Sequence, residues 1–405
     1  MIIYFLGVIH MATLDLGGNA NLQLEGNNAV IVGPQVAIIP PPTFTGSLWS
    51  WGDNSYGKLG DAGLGDSKSP AHVATNYSSW QLASHSLGQH FAIIKDDGSL
   101  WLWGRNNYGQ TGLDTNYNYS SPTQLGTETN WASITTGYKH TLASKTDGTL
   151  WAWGQNYDTG QLGNNSIGNG FMQTVSSPVM IMTAGNSWSS LSAGFDFSVA
   201  VRSDGKLFIW GSNSYGQLGT GNKIHRSSPF QISSDTTWSK AVAGSFFVLA
   251  LKKDGSLWSW GNNSHGRLGL GNVVHRSSPV MVGSQNDWTD ISSASATSYG
   301  LRSGGIAYGW GYGLSNAIPQ YGTNENKSSP FQIVTDKTWT KICVGNVGVA
   351  GISSGAIYTW GINFGFQLGQ NSYNSSESTS PTQIYNGDTD WTDLSGGYLF
   401  FVAKK

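Results

Sequence analysis

One dipeptide decides most of what this chain can become. Trp-Gly recurs seven times, with its tryptophan at positions 51, 103, 153, 210, 260, 310 and 360, at intervals of 50–57 residues. Two further markers keep step with it. A second tryptophan opens each unit (Trp80, Trp131, Trp188, Trp238, Trp288, Trp339, Trp391), and Ser-Pro falls once per unit, at Pro70, Pro122, Pro178, Pro229, Pro279, Pro330 and Pro381. Self-similarity at a fixed period of this length means an array of one supersecondary unit, which buries its apolar face only against its neighbours.

A single unit reads as four short strands. Trp131-Ala-Ser-Ile134 is the first, and residues 141–145 the second, apolar in most copies as expected of a strand covered on both faces. Asp147-Gly148 supplies the positive φ of a hairpin turn, and Leu150-Trp-Ala-Trp153-Gly is the third strand. A Gly-rich loop leads to a fourth strand of the form Ser121-Pro122-Thr-Gln-Leu125. Proline donates nothing to a ladder, so a strand beginning with it belongs at the sheet edge. Four strands with the edge outward make a propeller blade. The last unit keeps its opening Trp391 and second strand, while the matching third strand stands near the other end, in Leu48-Trp-Ser-Trp-Gly52. The sequence therefore predicts an all-β, seven-bladed propeller over residues 44–405, closed by pairing of its N- and C-terminal strands, with an extended arm over residues 1–43.

The pattern W-x-x-I/L-x-x-G, apolar strand, D-G, L-W-x-W-G-x-N-x-x-G-x-L-G and S-P resembles the regulator of chromosome condensation repeat, as in Leu257-Trp-Ser-Trp-Gly-Asn-Asn-Ser-His-Gly-Arg-Leu-Gly269. It is similar also to the propeller-type β-lactamase inhibitor. The resemblance implies a seven-bladed propeller, in agreement with the count. The sixth blade departs from it, because the loop after Trp310-Gly311 reads YGLSNAIPQYG.

Charged residues are only 11% of the chain, and 21 Lys and Arg nearly balance 23 Asp and Glu. Nucleic acid binding by counterion release needs clustered positive charge, so no DNA or RNA partner is expected. The lone Cys343 leaves neither a disulfide framework nor a Cys-based zinc site. The apolar run at residues 1–9 (MIIYFLGVI) is too short to span a bilayer and lacks the cationic start of a secretory signal. Met1 and Met11 both stand as starts.

Motifs that suggest chemistry dissolve into the repeat. Gly52-Asp-Asn-Ser-Tyr-Gly57-Lys58 begins like a phosphate loop, but Leu59 follows where magnesium binding needs Ser or Thr, and other blades read Gly-Gln-Leu-Gly there. His90 and His140 share a slot held elsewhere by Phe197, Phe247, Thr297, Gly348 and Phe400, which marks it as structural. No catalytic residues, metal site or cofactor are expected. One weak binding candidate remains: Lys223, His225, Arg226, Arg267, His275 and Arg276, from two His-Arg-Ser-Ser-Pro copies in neighbouring blades, form the chain's only clustered charge.

In the arm, Asn21-Leu-Gln-Leu-Glu25, Asn28-Ala-Val-Ile-Val32 and Val36-Ala-Ile-Ile39 are strand-like runs ahead of Pro40-Pro-Pro42. Val30, Ile31, Val32, Val36, Ile38 and Ile39 are the expected anchoring residues, added to a partner as extra strands. The leading expectation is a non-enzymatic module that binds macromolecules, a protein partner above all, in an extracellular or virion setting. The alternatives are a nucleotide-exchange regulator of a small GTPase and a lectin-like or enzyme-inhibiting binder, with a glycan as ligand in the former of these last two.

Overall fold

The computed structural model describes residues 2–3, 21–25, 28–32, 47–73, 80–83, 88–167, 173–183, 187–313, 318, 325–333, 335–371 and 377–405. The chain divides into two compact units, Met1–Thr45 and Gly46–Lys405. In the first, Asn21–Glu25 and Asn28–Val32 pair antiparallel as a hairpin, and Ile2–Ile3 adds to the outer edge of the second strand. The arm's apolar runs thus find each other rather than lying singly extended. Val36, Ile38, Ile39 and the triple proline lie outside the described residues.

The second unit is seven four-stranded antiparallel sheets, each taken in chain order from the first strand to the fourth. Blade 1 is built from both ends: Asp393–Gly397 and Phe400–Lys404 come from the C-terminus, Leu48–Gly52 and Ser67–His72 from the N-terminus. Phe400 pairs with Gly52 and Lys404 with Leu48, which closes the ring through main-chain bonds. Blades 2 to 7 open at Trp80, Trp131, Trp188, Trp238, Trp288 and Lys341. The Ser-Pro dipeptide lies inside the fourth strand instead of beginning it. The register shifts there, as between Ser50 and Gly52 opposite Ser67–His72, so a bulge absorbs the missing donor.

The Trp-Gly dipeptide has one physical cause per residue. Each of the seven glycines has φ between 96° and 112°. A Cβ would lie 2.4–2.7 Å from a carbonyl oxygen in the turn between first and second strands, such as Asp196 O facing Gly211. That same carbonyl accepts the N–H of the next residue, as in Ser212 N to Asp196 O at 2.8 Å and Gln155 N to Lys139 O at 2.9 Å. The glycine therefore ties the third-strand loop to the first turn in every blade.

Each tryptophan of the pair is wholly buried and joins two blades. Its indole N–H donates to a loop carbonyl of the preceding blade: Trp51 to Gln367, Trp103 to Lys58, Trp153 to Gln110, Trp210 to Gln161, Trp260 to Gln217 and Trp310 to Arg267, all at 2.9–3.0 Å. For the seventh, the described residues show Trp360 donating to the Tyr299 hydroxyl at 3.1 Å, from the second strand of blade 6. Tyr299→Phe keeps the ring packing and deletes that bond, and should lower stability by about 1 kcal/mol in a denaturant titration. An unchanged midpoint would mean the hydroxyl is not a latch.

First strands line the central channel, where a cavity of about 340 Å³ is bordered by Ser133, Ser190, Lys240, Asp290 and Lys341. Ion pairs Lys240–Asp290 and Lys341–Asp393 link neighbouring blades across it.

Candidate functional site: an aromatic loop face

Strand direction alternates, so first turns and third-strand loops emerge at one end of the ring. The turn backbones are also joined between blades: Tyr398 N donates to Gly88 O, Tyr138 N to Gly194 O and Phe195 N to Ser245 O. The long loops are pinned from within. Asn54, Asn106, Asn156, Asn213, Asn263 and Asn363, the Asn of G-x-N, accept through Oδ1 from a main-chain N–H five or six residues on. Side chains on this end therefore stand on fixed backbone.

What they present is uneven around the ring. Through blades 2 to 5 the face carries a run of partly exposed rings. Tyr138 stacks on Phe195 at 4.3 Å, Phe195 meets Phe246 at 5.4 Å, Phe246 meets Tyr215 at 5.3 Å, and Tyr215 reaches His275 at 5.8 Å. Two cations are interleaved. Arg105 lies over Tyr56 and Tyr108 at 4.9 and 5.4 Å, and Lys139 over Tyr108, Tyr138 and Tyr157 at 4.6, 5.1 and 5.8 Å. In blades 6 and 7 the same turns hold Ser295-Ala296 and Asn346-Val347, and rings stand on the loops instead: Tyr312, against His265 at 4.6 Å, and the exposed Phe364. Asp196, between Phe195 and Phe197, is held up at about 6 by burial against a weaker opposing pull from Lys139. Its Oδ1 is buried and has no hydrogen-bond partner among the described residues.

The predicted cationic cluster is distributed over three places. His225 and His275 close the long loops of blades 4 and 5, each accepting at Nδ1 from Asn213 N or Asn263 N at 2.8 and 2.9 Å. Asp66 and Asn118 do the same in blades 1 and 2. Burial holds His275 below the usual imidazole range, with help from the charges of Lys223 and Arg267. Arg267 lies under the face, donates to Ser264 O and Ser295 O, and is lowered to about 10 by burial. Lys223 is exposed beside His275. Arg226 and Arg276 sit on the fourth strands of blades 4 and 5, away at the outer rim. Lys58 fills the slot Arg267 has in blade 5, paired with Asp53 at 2.7 Å and donating to Tyr398 O at 2.8 Å. His90 and His140 are buried within second strands, where each Nε2 meets a hydroxyl of the next blade, Thr141 or Ser198.

Sequence reasoning missed the aromatic run, although a signal was there. The two turn positions ahead of the second strand vary freely between blades, yet rings gather at them in Tyr138, Phe195 and Phe246. Among the described residues no group of three His, Cys, Asp or Glu is placed to hold a metal ion, and no helix is long and apolar enough to cross a membrane.

A seven-bladed ring with a split first blade and indole-to-carbonyl latches is a propeller of the regulator of chromosome condensation type. Residues 42–348 match the RCC1-like domain, and the chain belongs to that family. It is 30% identical over 195 residues to the ultraviolet-B receptor UVR8 of Arabidopsis thaliana, covering 47% of this chain and 42% of that protein. It is 31% identical over 149 residues to the human X-linked retinitis pigmentosa GTPase regulator, covering 36% and 14%. The chain thus spans less than half the length of these relatives. Among solved structures, yeast RCC1 (Prp20) bound to Kap60 superposes with a TM-score of 0.79 at 19% identity, covering 89% of this chain and 88% of that one. Human WBSCR16 superposes at 0.76 and 18% identity, covering 88% and 99%. These two likenesses show the fold.

Proposed function

We propose that this propeller is a non-catalytic protein-binding module whose partner docks on the loop face, across the aromatic run of blades 2 to 5. The observation that carries the proposal is that run, with Arg105 and Lys139 seated among its rings. Tyrosine and arginine dominate the energetics of protein interfaces. Here they stand on turns fixed by main-chain bonds, so little freedom is lost on docking. The rings also favour a protein over a glycan, because the stacking of Tyr138 on Phe195 occupies ring faces that a sugar would need. Yeast RCC1 was solved with Kap60 bound, and a second Prp20p structure is described with its binding to Gsp1p and histones, which supports a protein partner. In the finer reading, residues 1–43 anchor the module and it works as an extracellular or virion component.

The test is capture of partners from native material by full-length protein, compared with a Phe195→Ala/Phe246→Ala double variant. Capture should fall by well over tenfold, at about 2 kcal/mol for each residue in the core of an interface, while the thermal melt stays near wild type. Undiminished capture would remove the loop face from consideration. Protein lacking residues 1–43 should still capture partners but fail to co-sediment with native particles or membranes.

A further inference from the structure

The outer rim between blades 5 and 6 holds a cavity of about 500 Å³ that shares no lining residue with the central channel or with the rings of the loop-face run. One repeat position in its lining separates blade 5 from its two neighbours. Blades 4, 5 and 6 carry Arg226-Ser-Ser-Pro-Phe230, Arg276-Ser-Ser-Pro-Val280 and Lys327-Ser-Ser-Pro-Phe331 on their fourth strands. Phe230, Val280 and Phe331 are in register, opposite Ile209, Ser259 and Gly309 of the third strands. In blade 4 the Arg226 guanidinium lies over the Phe230 ring at 4.6 Å, and in blade 6 the Lys327 ammonium lies 5.5 Å from the Phe331 ring. Blade 5 has the shorter Val280, so Arg276 has no ring over it and the space stays open.

The cavity lining is chemically mixed. Leu270, Val280, Met281 and Pro330 contribute apolar side chains. With them are Arg276, whose side chain has no ion pair or hydrogen bond among the described residues, and Arg302, which is held by Asp287 at 2.6 Å and Tyr308 Oη at 3.2 Å. Arg302 is positioned; Arg276 is not committed. Trp288 forms part of the floor. It is 5% exposed and its indole N–H has no partner, a condition shared by Trp131, Trp238, Trp339 and Trp391. What singles out this rim site is therefore the pairing of Val280 with Arg276. The strand bearing both is the last of its sheet, where Ser277 O accepts the N–H of Gly221 from the blade 4 loop at 2.7 Å and Pro279 carries no N–H.

We propose that this cavity binds a carboxylate joined to an apolar group, supplied by a peptide whose acidic end reaches Arg276 and whose neighbouring apolar side chain fills the space that Phe230 fills in blade 4. A guanidinium presents parallel N–H donors that match a carboxylate, and the partly buried setting strengthens that match. The polar side chains that also line the cavity, Asn272, Gln285 and Ser329, favour a peptide over a free acid, because they offer partners to main-chain groups that an alkyl carboxylate lacks.

C-terminally amidated, fluorescein-labelled pentapeptides ending in Leu-Glu, with Leu-Gln and Leu-Lys as controls, provide the probes, read by fluorescence polarisation with sodium octanoate as competitor. Two variants of the full chain are compared. Val280→Phe copies the residue of both neighbouring blades and should fold while filling the cavity; Arg276→Gln removes the charge and keeps the length. The Leu-Glu peptide should bind wild type and lose about tenfold or more in affinity to each variant, with little binding of the controls. Binding unchanged in both variants, or equal for Leu-Glu and Leu-Lys, overturns the site. Saturable displacement by octanoate without measurable peptide affinity assigns the cavity to free acids and overturns the peptide as occupant.

Discussion

A chain ending at Asp390 should have no cooperative thermal transition. The truncation removes two strands of blade 1, Asp393–Gly397 and Phe400–Lys404, and with them the main-chain pairing of Phe400 to Gly52. It also removes Trp391, Leu394, Phe400, Phe401, Val402 and Ala403, all buried in the clusters that join blade 1 to blades 7 and 2. At ~1.5–3 kcal/mol for a large buried side chain, the loss is on the order of 10 kcal/mol. That matches the whole stability of an ordinary domain. Calorimetry, with binding of an apolar dye as a second probe, is the measurement, and addition of a peptide covering residues 391–405 should restore the transition. Melting like that of the full chain would mean that the ring holds without its split blade.

The second large effect is sensitivity to acid through His90. The ring is wholly buried, its Nε2 lies 2.7 Å from Thr141 Oγ1, and His140 is close enough to oppose its charging. Burial first, then that repulsion, depresses it from 6.5 to about 3. The unfolded chain therefore takes up the proton at higher pH than the folded one. The stability contributed by the neutral ring is complete above pH 6.5 and drains away as pH falls toward 3. Across that window the loss is on the order of 4 kcal/mol. His90→Phe is the control, since Phe197, Phe247 and Phe400 occupy the same slot, and Thr141 Oγ1 keeps its bond to Gln110 O. Denaturant titrations over this pH range should show a flatter dependence in the variant. Superimposable curves would mean that His90 is protonated in the fold at little cost.

How much of this was legible beforehand follows from which atoms do the binding. The blades, their order and the closure were readable because they depend on side-chain identity: a Trp that must be buried, a Gly that must adopt positive φ, a Ser-Pro that disturbs a ladder. The role of Gly211 in approaching Asp196 O was not readable, because its partner there is a carbonyl that every residue possesses. The indole latches were hidden for the same reason, since nothing in the sequence marks Gln110 O, Arg267 O or the Tyr299 hydroxyl as acceptors. The cationic cluster looked coherent because its members were close in the chain. Strand direction separated them, sending His275 to the loop end and Arg276, one residue on, into the bulged outer strand. The rim cavity needed both levels, because Val280 stands out only against the rings that cover Arg226 and Lys327.

The latches between blades carry a consequence for how such a molecule changes over generations. Among the described residues, six of these indoles grip a main-chain oxygen whose own side chain plays no part in the grip: Lys58, Gln110, Gln161, Gln217, Arg267 and Gln367 all serve. The tether at each Trp-Gly likewise holds a carbonyl and ignores whether the residue is Lys139, Asp196 or Phe246. The exposed turn side chains can therefore be exchanged without breaking these tethers, whereas the buried Lys58, Arg267 and glutamines also hold their loops, as Gln110 Oε1 does for Tyr108 N. A lineage built on this ring can alter what its turns show while the way its blades are joined stays the same.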